Sequence, residues 1–361
     1  MIKLSNLRLG FDTGFNLAVD SLNIREGCVF AVIGPNGAGK TTLLNAMALL
    51  RCPSSGSLEI MGRDALAPAN KMFLRRAMSV VFSQPYLTND TVYDNVALPL
   101  KLRGQKDRAA VEEMLELFKI SHLKSRNAKT LSQGESHRAA LARAFVIRPR
   151  LVLLDEPFAS LDERVKDSIT RDLRKVVKAS NAAVVLVTQD QNGALTLCDT
   201  LAVIVNGKIL QQGAPQDVFS RPVSTEVADF VGVETILPGK VASKQDNLCA
   251  VEAGGKTLMV VSDCEAGDSV FVCVRPEDVS VSLSADAGGR RNNFKARVVS
   301  VAPWGLEYKV ELDCGFILQA AVTKQLVDGL GLSAKQRGGS AGGEVYASFK
   351  ATALHLIRRA G

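Results

Sequence analysis

A glycine-rich stretch between an apolar run and a helix-forming segment places the tightest constraint on how this chain folds. The stretch GPNGAGKTT fits the pattern G-x-x-x-x-G-K-[ST], follows the apolar run FAVI and leads into TLLNAMALL. Glycines let backbone N–H groups turn inward on phosphates, and the start of the next helix adds a positive dipole. The pattern therefore predicts a strand, a phosphate-binding loop and a helix. The candidate nucleotide ligands are Gly34, Pro35, Asn36, Gly37, Ala38, Gly39, Lys40, Thr41 and Thr42.

A second segment, RPRLVLLDEPFASLDE, is an apolar run that ends in two carboxylates. Lys40 of the phosphate loop is expected to reach the β and γ phosphates, and the Thr41 hydroxyl is a candidate Mg²⁺ ligand. Asp155 is expected to act on the same Mg²⁺, usually through water, and Glu156 to polarise the attacking water as a general base. In isolation the acidic pair could equally be a helix N-cap after a strand. Beside a phosphate loop, we favour the catalytic interpretation.

The order of apolar runs predicts the fold class. Asn206-Gly207, before Lys208–Gln211, is a residue pair that favours a tight hairpin turn, so an antiparallel edge is expected there. Helix-like segments separate five candidate buried strands, which predicts a largely parallel sheet. These strands are Val29–Ile33, Val80–Phe82, Leu151–Leu154, Val184–Val187 and Leu201–Val205. From about Thr235 the texture becomes β-rich, with candidate strands at Ser269–Val274, Ala296–Val301 and Tyr308–Leu312.

Length, charge and cysteine content narrow the class of protein. The 361 residues suit two domains, and 47% hydrophobic with 22% charged residues argues against a disordered or fibrous chain. A net charge of +7 suits an anionic partner, although a generally basic surface explains it equally well. The seven cysteines form no CxxC pair, which favours a reducing cytoplasm. Neither a signal peptide nor a run of about 20 apolar residues is recognisable. We therefore expect a cytoplasmic protein that serves any membrane through a partner.

A third motif carries a resemblance to a known family. LSQGESHRAALARAF, at residues 131–145, resembles the signature segment of ABC ATPases. It departs from the usual LSGGQ at Gln133 and Glu135 but keeps Ser132 and Gly134. A Ser-capped helix start is the simpler explanation of this segment taken alone. With the two motifs above, the resemblance implies that Ser132, Gln133, Gly134 and Glu135 cap the γ-phosphate bound by an opposite subunit.

The same resemblance implies roles for further residues. Gln84, in VVFSQPYL, resembles the glutamine loop, which senses Mg²⁺ and water and moves the surface that meets the membrane subunits. Asp162, in the SLD segment, resembles the aspartate that couples the two active sites. Phe11 is the first candidate for stacking on adenine and Phe15 is its rival. A phenylalanine of the core is the alternative for either.

One departure from the family bears on the chemistry. The family usually places a histidine that contacts the γ-phosphate after the strand VVLV, whereas this chain reads VTQDQ, with Gln189 at that position. A glutamine side chain donates a hydrogen bond but cannot carry the charge of an imidazolium. We therefore expect nucleotide binding to be retained, with hydrolysis slower or less sharply switched.

The resemblance also implies a domain plan. Residues 1–232 are expected to form an α/β phosphate-loop NTPase domain of the ABC ATPase type, with an inserted helical subdomain at about residues 85–148. Residues 235–361 are expected to form a small all-β, OB-like domain of the TOBE type. Within it, VRPEDVSVS and FKATALHLI resemble the tails of ABC import ATPases. The second segment is most similar to those of tungstate and molybdate importers, which favours a tetrahedral oxyanion as cargo.

The implied function is that of an ATP-hydrolysing subunit of an importer. Two copies would close around two ATP and Mg²⁺, and a separate integral membrane permease would carry the solute, with an extracytoplasmic solute-binding protein delivering it. No nucleic-acid partner is expected, and the chain would lie at the inner face of the membrane. Other cargoes (polyamine, iron, sugar or sulfate) remain open. A soluble ABC ATPase without transport and an oxyanion sensor are the other function classes.

Overall fold

The structure, a computed structural model, describes residues 1–10, 14–159, 161–285, 291–332 and 344–359. The chain divides into two compact units, Met1–Val218 and Phe219–Gly361. This boundary lies ahead of the domain limits that the sequence led us to expect, residues 232 and 235. In the described part of the chain, no helix has the length and apolar character needed to cross a membrane.

One mixed sheet organises the first unit. Its strands are β1 (Ile2–Gly10), β2 (Asn16–Ile24), β3 (Val29–Ile33), β4 (Ser55–Ile60), β5 (Arg63–Asp64), β6 (Met78–Val81), β7 (Leu151–Asp155), β8 (Ala183–Thr188), β9 (Thr200–Val205) and β10 (Lys208–Gly213). They lie in the order β5-β4-β1-β2-β10-β9-β3-β8-β7-β6. Parallel pairs join β9, β3, β8, β7 and β6, whereas β5, β4, β1 and β2 pair antiparallel.

The prediction of a largely parallel sheet is therefore right for one half of the sheet and wrong for the other. Strand β8 is buried along its whole length, because alternate side chains enter two different hydrophobic clusters. Val184 and Leu186 belong to one cluster, and Val185 and Val187 to the other. Strand β1, in the antiparallel half, alternates between buried and exposed residues instead. Continuous apolar runs in the sequence therefore identify fully buried strands such as β8 and miss alternating strands such as β1.

The predicted buried strands and the predicted hairpin are present, but the expected antiparallel edge is wrong, because β9 and β10 lie inside the sheet, between β3 and β2. Four of the five predicted runs lie within the observed strands, and the exception is β6, which ends at Val81, while Phe82 beyond it is 45% exposed. Strands β9 and β10 pair antiparallel across Asn206-Gly207, whose φ angles are 47° and 75°. Both residues lie in the left-handed region that such a turn requires.

Helices cover the sheet of the first unit, and two more follow, one across the unit boundary and one beyond it. They are α1 (Lys40–Met47), α2 (Pro68–Ala77), α3 (Val92–Lys101), α4 (Arg108–Leu117), α5 (Gln133–Phe145), α6 (Glu163–Ser180), α7 (Gln191–Leu197), α8 (Pro215–Ser220) and α9 (Thr225–Phe230). Three of them, α3 to α5, fall in the stretch expected to form the inserted helical subdomain. Buried Asn95 of α3 fixes the preceding loop, because its side chain bonds Thr88 and the Thr91 carbonyl.

The second unit is built on two five-stranded antiparallel sheets. Its strands are β11 (Thr235–Gln245), β12 (Leu248–Ala253), β13 (Lys256–Val261), β14 (Ser269–Val274), β15 (Ser280–Ser282), β16 (Asn292–Trp304), β17 (Glu307–Asp313), β18 (Ile317–Thr323), β19 (Glu344–Phe349) and β20 (His355–Arg358), and helix α10 (Lys324–Gly329) follows β18. The orders are β13-β12-β11-β14-β20 and β15-β19-β16-β17-β18. Inner-face residues of both sheets share one hydrophobic core. The three strands predicted for this tail are confirmed within β14, β16 and β17.

The hairpin turn yields a stability prediction. A Cβ added to Gly207 would lie 2.2 Å from the Asn16 carbonyl oxygen, whereas Gly104, with a similar φ of 70°, has no atom within 4 Å of such a Cβ. Gly207→Ala should lower the free energy of unfolding by well over about 1 kcal/mol, while Gly104→Ala loses only the left-handed preference, about 1 kcal/mol. Urea unfolding of both variants measures the difference. Equal losses would show that the close approach at Gly207 costs nothing.

Candidate functional site

Three neighbouring parallel strands deliver the predicted catalytic residues to one edge of the sheet. Strand β8 pairs with β3 on one side and with β7 on the other, in parallel register. The phosphate loop follows β3, the acidic pair ends β7, and Gln189 follows β8. Because the carboxyl ends of parallel strands lie at the same edge, these loops meet there.

The phosphate loop is tightly packed and holds its lysine inward. A Cβ on Gly34 would lie 2.1 Å from the Ile204 carbonyl oxygen, so only glycine fits at the end of β3. Lys40 is 6% exposed, and its Nζ donates to the carbonyl oxygens of Gly34 at 2.8 Å and Pro35 at 3.1 Å. Helix α1 begins at Lys40 after Gly39, with neither a side-chain cap nor an acidic residue in its first turn. Its first N–H groups are therefore available to an anion.

The hairpin between β9 and β10 packs against the phosphate loop and donates a hydrogen bond to it. The N–H of Gly207 donates to the Ala38 carbonyl at 3.0 Å. Ala38 itself is buried, and its N–H bonds the Pro35 carbonyl at 3.3 Å. The turn between β9 and β10 thus bonds directly to the middle of the phosphate loop.

Thr41 and Asp155 form an oxygen pair suited to a divalent cation. The Thr41 hydroxyl donates to Asp155 Oδ1 at 3.0 Å, and Asp155 is 5% exposed. Burial raises the pKa of the Asp155 carboxyl above its usual range. Hydroxyl and carboxylate oxygens are the ligands that Mg²⁺ takes together with water and phosphate. The described residues contain no cluster of three or more His, Cys, Asp or Glu that could hold a metal ion.

Glu156 is held by contacts on both carboxylate oxygens. Its backbone lies in the left-handed region, at a φ of 44°. Oε1 lies 3.5 Å from Lys40 Nζ. Oε2 accepts the Thr188 hydroxyl at 2.9 Å and the backbone N–H of Gln189 at 3.2 Å. Glu156 thus faces the phosphate loop from a fixed position.

The two predicted glutamines follow different strands, Gln84 after β6 and Gln189 after β8. Gln189 meets Glu156 through its backbone, and its side chain is exposed. Gln84 is exposed as well, three residues beyond the end of β6, and therefore follows a strand that ends at the same edge. Both side chains are exposed in loops that follow strands ending at this edge.

The signature residues line a cavity of their own, at the start of α5. Helix α5 starts with a capping box, in which Ser132 N–H donates to Glu135 Oε2 at 2.7 Å and Glu135 N–H donates to Ser132 Oγ at 3.4 Å. The backbone hydrogen bond from Ser132 lowers the pKa of Glu135. Asp162 caps α6 by accepting the Val165 N–H at 3.0 Å. A Cβ on Gly134 would lie 2.8 Å from Val165 Cγ1, so glycine lets α5 start close to α6.

This cavity measures about 550 Å³ and gathers the signature residues Ser132, Gln133, Gly134 and Glu135 together with Asp162. Its described lining includes no residue of the phosphate loop. The structure therefore brings the predicted site residues together as two groups, one at the sheet edge and one at the start of α5.

Of the two aromatic candidates, one can be placed. Phe11 lies outside the described residues. Phe15 is half-buried and packs against the core, and its Cζ would lie 2.8 Å from a Cβ on Gly39. The ring of Phe15 therefore borders the phosphate loop.

His137 is a residue of the site that sequence reasoning missed. It is 1% exposed, with Nδ1 2.9 Å from the Gln133 carbonyl oxygen and Nε2 3.3 Å from the Ser83 carbonyl oxygen. It thereby joins the signature helix to the residue before Gln84. Its spacing of four from buried Leu141 signals a core position. The neutral imidazole has one N–H and serves one carbonyl, whereas the imidazolium serves both.

The second unit contains a cleft of about 870 Å³ of mixed charge. Arg275 lines it, but its guanidinium already donates to the carbonyls of Phe219 and Val231. Asp263 and Asp278 line the same cleft, and burial raises the pKa of Asp278. With Arg221 and His355 also in its lining, the cleft carries both basic and acidic groups.

Family profiles, relatives and solved structures show which proteins this chain resembles. An ABC transporter family profile matches residues 17–159, and a TOBE domain profile matches residues 272–357. The molybdate/tungstate import ATP-binding protein of Pyrococcus horikoshii is 36% identical over 95% of this chain and 96% of its own length. The spermidine/putrescine import ATP-binding protein of Nitrosomonas europaea is 35% identical over 84% and 86%. A dimeric ATP-binding cassette in a post-hydrolysis state, bound to ADP and Pi, superposes with a TM-score of 0.54 at 28% identity, covering 60% of this chain and 99% of that one.

The buried histidine yields a prediction. His137→Leu removes the imidazole that lies between the Ser83 and Gln133 carbonyls, and the loss of its hydrogen bond should cost about 1–3 kcal/mol of unfolding free energy. His137→Gln keeps an N–H donor and should recover part of that loss. Thermal unfolding of the two variants beside wild type measures this. A leucine variant as stable as wild type would show that the imidazole contacts are not stabilising.

Proposed function

Because this chain belongs to the ATP-binding subunits of ABC importers, we propose that the solute whose uptake it energises is a tetrahedral oxyanion, molybdate or tungstate. The chain binds ATP and hydrolyses it, and that hydrolysis is coupled to transport. Its identity to the Pyrococcus horikoshii protein is the observation that carries the cargo proposal, since it extends over 95% of the chain and so includes both units. A polyamine is the second candidate, supported by the Nitrosomonas europaea relative, which aligns with 84% of the chain.

In this proposal, the residues at the sheet edge divide the work of hydrolysis. The free N–H groups at the start of α1 bind the phosphates. Lys40, which bonds loop carbonyls in the structure, turns to the β and γ phosphates when ATP enters. Glu156 accepts a hydrogen bond from the attacking water and takes its proton.

Thr41 and Asp155 would hold Mg²⁺, with Gln84 as a further candidate ligand. When bound, the cation supplies charge neutralisation for the phosphate oxygens. The pKa of Asp155, raised by burial, is consistent with a carboxylate whose charge a cation offsets. Adenine stacking falls to Phe11 or Phe15.

A second copy of the chain completes each site. The cavity formed by Ser132, Gln133, Gly134 and Glu135 would receive the γ-phosphate held by the partner, and Asp162 would couple the two sites. The dimeric ATP-binding cassette among the similar structures supports this arrangement. ATP drives closure because it binds the closed state more tightly.

The partners beyond the dimer follow from the importer family. Transport requires integral membrane permease subunits, which the loop of Gln84 would meet, and an extracytoplasmic binding protein would deliver the solute. The chain would then lie at the inner face of the membrane.

The cargo is tested by elemental mass spectrometry of molybdenum and tungsten in cells lacking the gene. We expect the content of either metal to fall, and wild type but not Glu156→Gln to restore it, because Glu156→Gln removes the general base. Spermidine uptake is measured in the same cells as the matched comparison. Unchanged metal contents with reduced spermidine uptake would replace the oxyanion by a polyamine.

Gln189 yields a prediction about rate. An imidazolium at this position would add a positive charge near the γ-phosphate, where charge develops in hydrolysis. Gln189→His should therefore raise kcat for ATP several-fold and leave ATP binding without hydrolysis nearly unchanged. Gln189→Asn, which keeps the neutral amide, is the control. If the histidine variant hydrolyses ATP at the wild-type rate, the glutamine does not limit hydrolysis.

A further inference from the structure

The geometry points to Thr188 as the residue that positions the general base Glu156 for hydrolysis. This inference rests on the catalytic role of Glu156 given above, but not on the identity of the cargo. Thr188 is a positioning residue, which acts through Glu156 and not on a phosphate.

Thr188 has both the burial and the direction to hold a carboxylate. It is the last residue of β8, is 2% exposed, and follows Val187, whose carbonyl accepts the Glu156 N–H at 2.9 Å. Its hydroxyl accepts the N–H of Asp190 at 3.0 Å and donates to Glu156 Oε2 at 2.9 Å. Because Asp190 occupies a lone pair, the hydroxyl proton is directed at the carboxylate. A β-branched side chain also has few rotamers, so this direction is stiff.

Glu156 needs such a support because little else fixes the end of its side chain. The strand fixes its backbone, but the side chain has three rotatable bonds. Lys40 Nζ lies 3.5 Å from Oε1, and the same Nζ is expected to move to the phosphates. Gln189 adds only a backbone N–H, at 3.2 Å from Oε2. Once Lys40 has turned away, Thr188 and the Gln189 N–H hold Oε2, and Oε1 is left to face water.

The two aspartates nearest to Thr188 and Glu156 have other partners. Asp155, the neighbour of Glu156, bonds the Thr41 hydroxyl. Asp190, whose N–H bonds Thr188, pairs through its carboxylate with Lys166 at 2.8 Å. The direct support of the Glu156 carboxylate therefore reduces to few groups, of which Thr188 is the one that can be changed without altering charge.

The test removes the hydroxyl and keeps the shape. Thr188→Val should lower kcat for ATP about tenfold to hundredfold, because a misplaced base costs rate in that range. KM for ATP, and the rise in melting temperature that ATP produces in the presence of EDTA, should stay within twofold of wild type. Thr188→Ser keeps the hydroxyl and should restore most of kcat.

Thr170→Val is the matched control for loss of a buried hydroxyl. Thr170 is 4% exposed, and its Oγ1 has no hydrogen-bond partner among the described residues. This variant should hydrolyse ATP at the wild-type rate. In a Glu156→Gln background, Thr188→Val should lower the residual rate far less than it does in wild type, since the two changes act through one group.

Three results would overturn the inference. Wild-type kcat in Thr188→Val would show that the hydroxyl is dispensable. A raised kcat would show that it holds Glu156 back rather than in place. A loss of kcat that the serine variant does not recover, with ATP affinity reduced in parallel, would indicate a general structural role. All readouts use purified protein, so a failure of oxyanion uptake in cells leaves them unaffected.

Discussion

The register of β3, β8 and β7 is the constraint on which the rest of the first unit depends. These three parallel strands are buried, and their backbone ladders fix where each one ends. Those endpoints set the positions of the phosphate loop, the acidic pair and the segment with Thr188. A slip of one residue in either ladder would turn Asp155 or Thr188 to the other face of the sheet. Rigid burial of the strands therefore sets the precision of the catalytic edge.

Much of this arrangement could be read from the sequence, because its signals are local. Three features were predicted because each is a short residue pattern next to a strand-like or helix-like segment. They are the phosphate loop, the acidic strand end and the Asn206-Gly207 hairpin. The antiparallel half of the sheet was not predicted, since β1 carries an alternating pattern rather than a continuous apolar run. Local patterns thus predicted the strands and loops that surround the candidate site.

Contacts between distant parts of the chain could not be predicted in the same way. Thr188 bonds a residue 32 positions away, and His137 contacts a carbonyl 54 positions away. Neither residue belongs to a motif of its own, and each partner becomes visible only when the strands and helices are packed. The capping box of Ser132 and Glu135 shows the contrast, because its partners are three residues apart and its pattern is readable directly. Roles for the signature residues remain predictions, as they involve a second copy.

The backbone hydrogen bond between Gly207 and Ala38 has a consequence for folding during synthesis. Ribosomal synthesis delivers the phosphate loop early, yet the turn that supports its middle is made almost 170 residues later. A nascent chain that stops short of Gly207 holds the whole nucleotide-binding motif without the backbone donor beneath it. The backbone contacts of the phosphate loop are therefore complete only when most of the first unit has been translated.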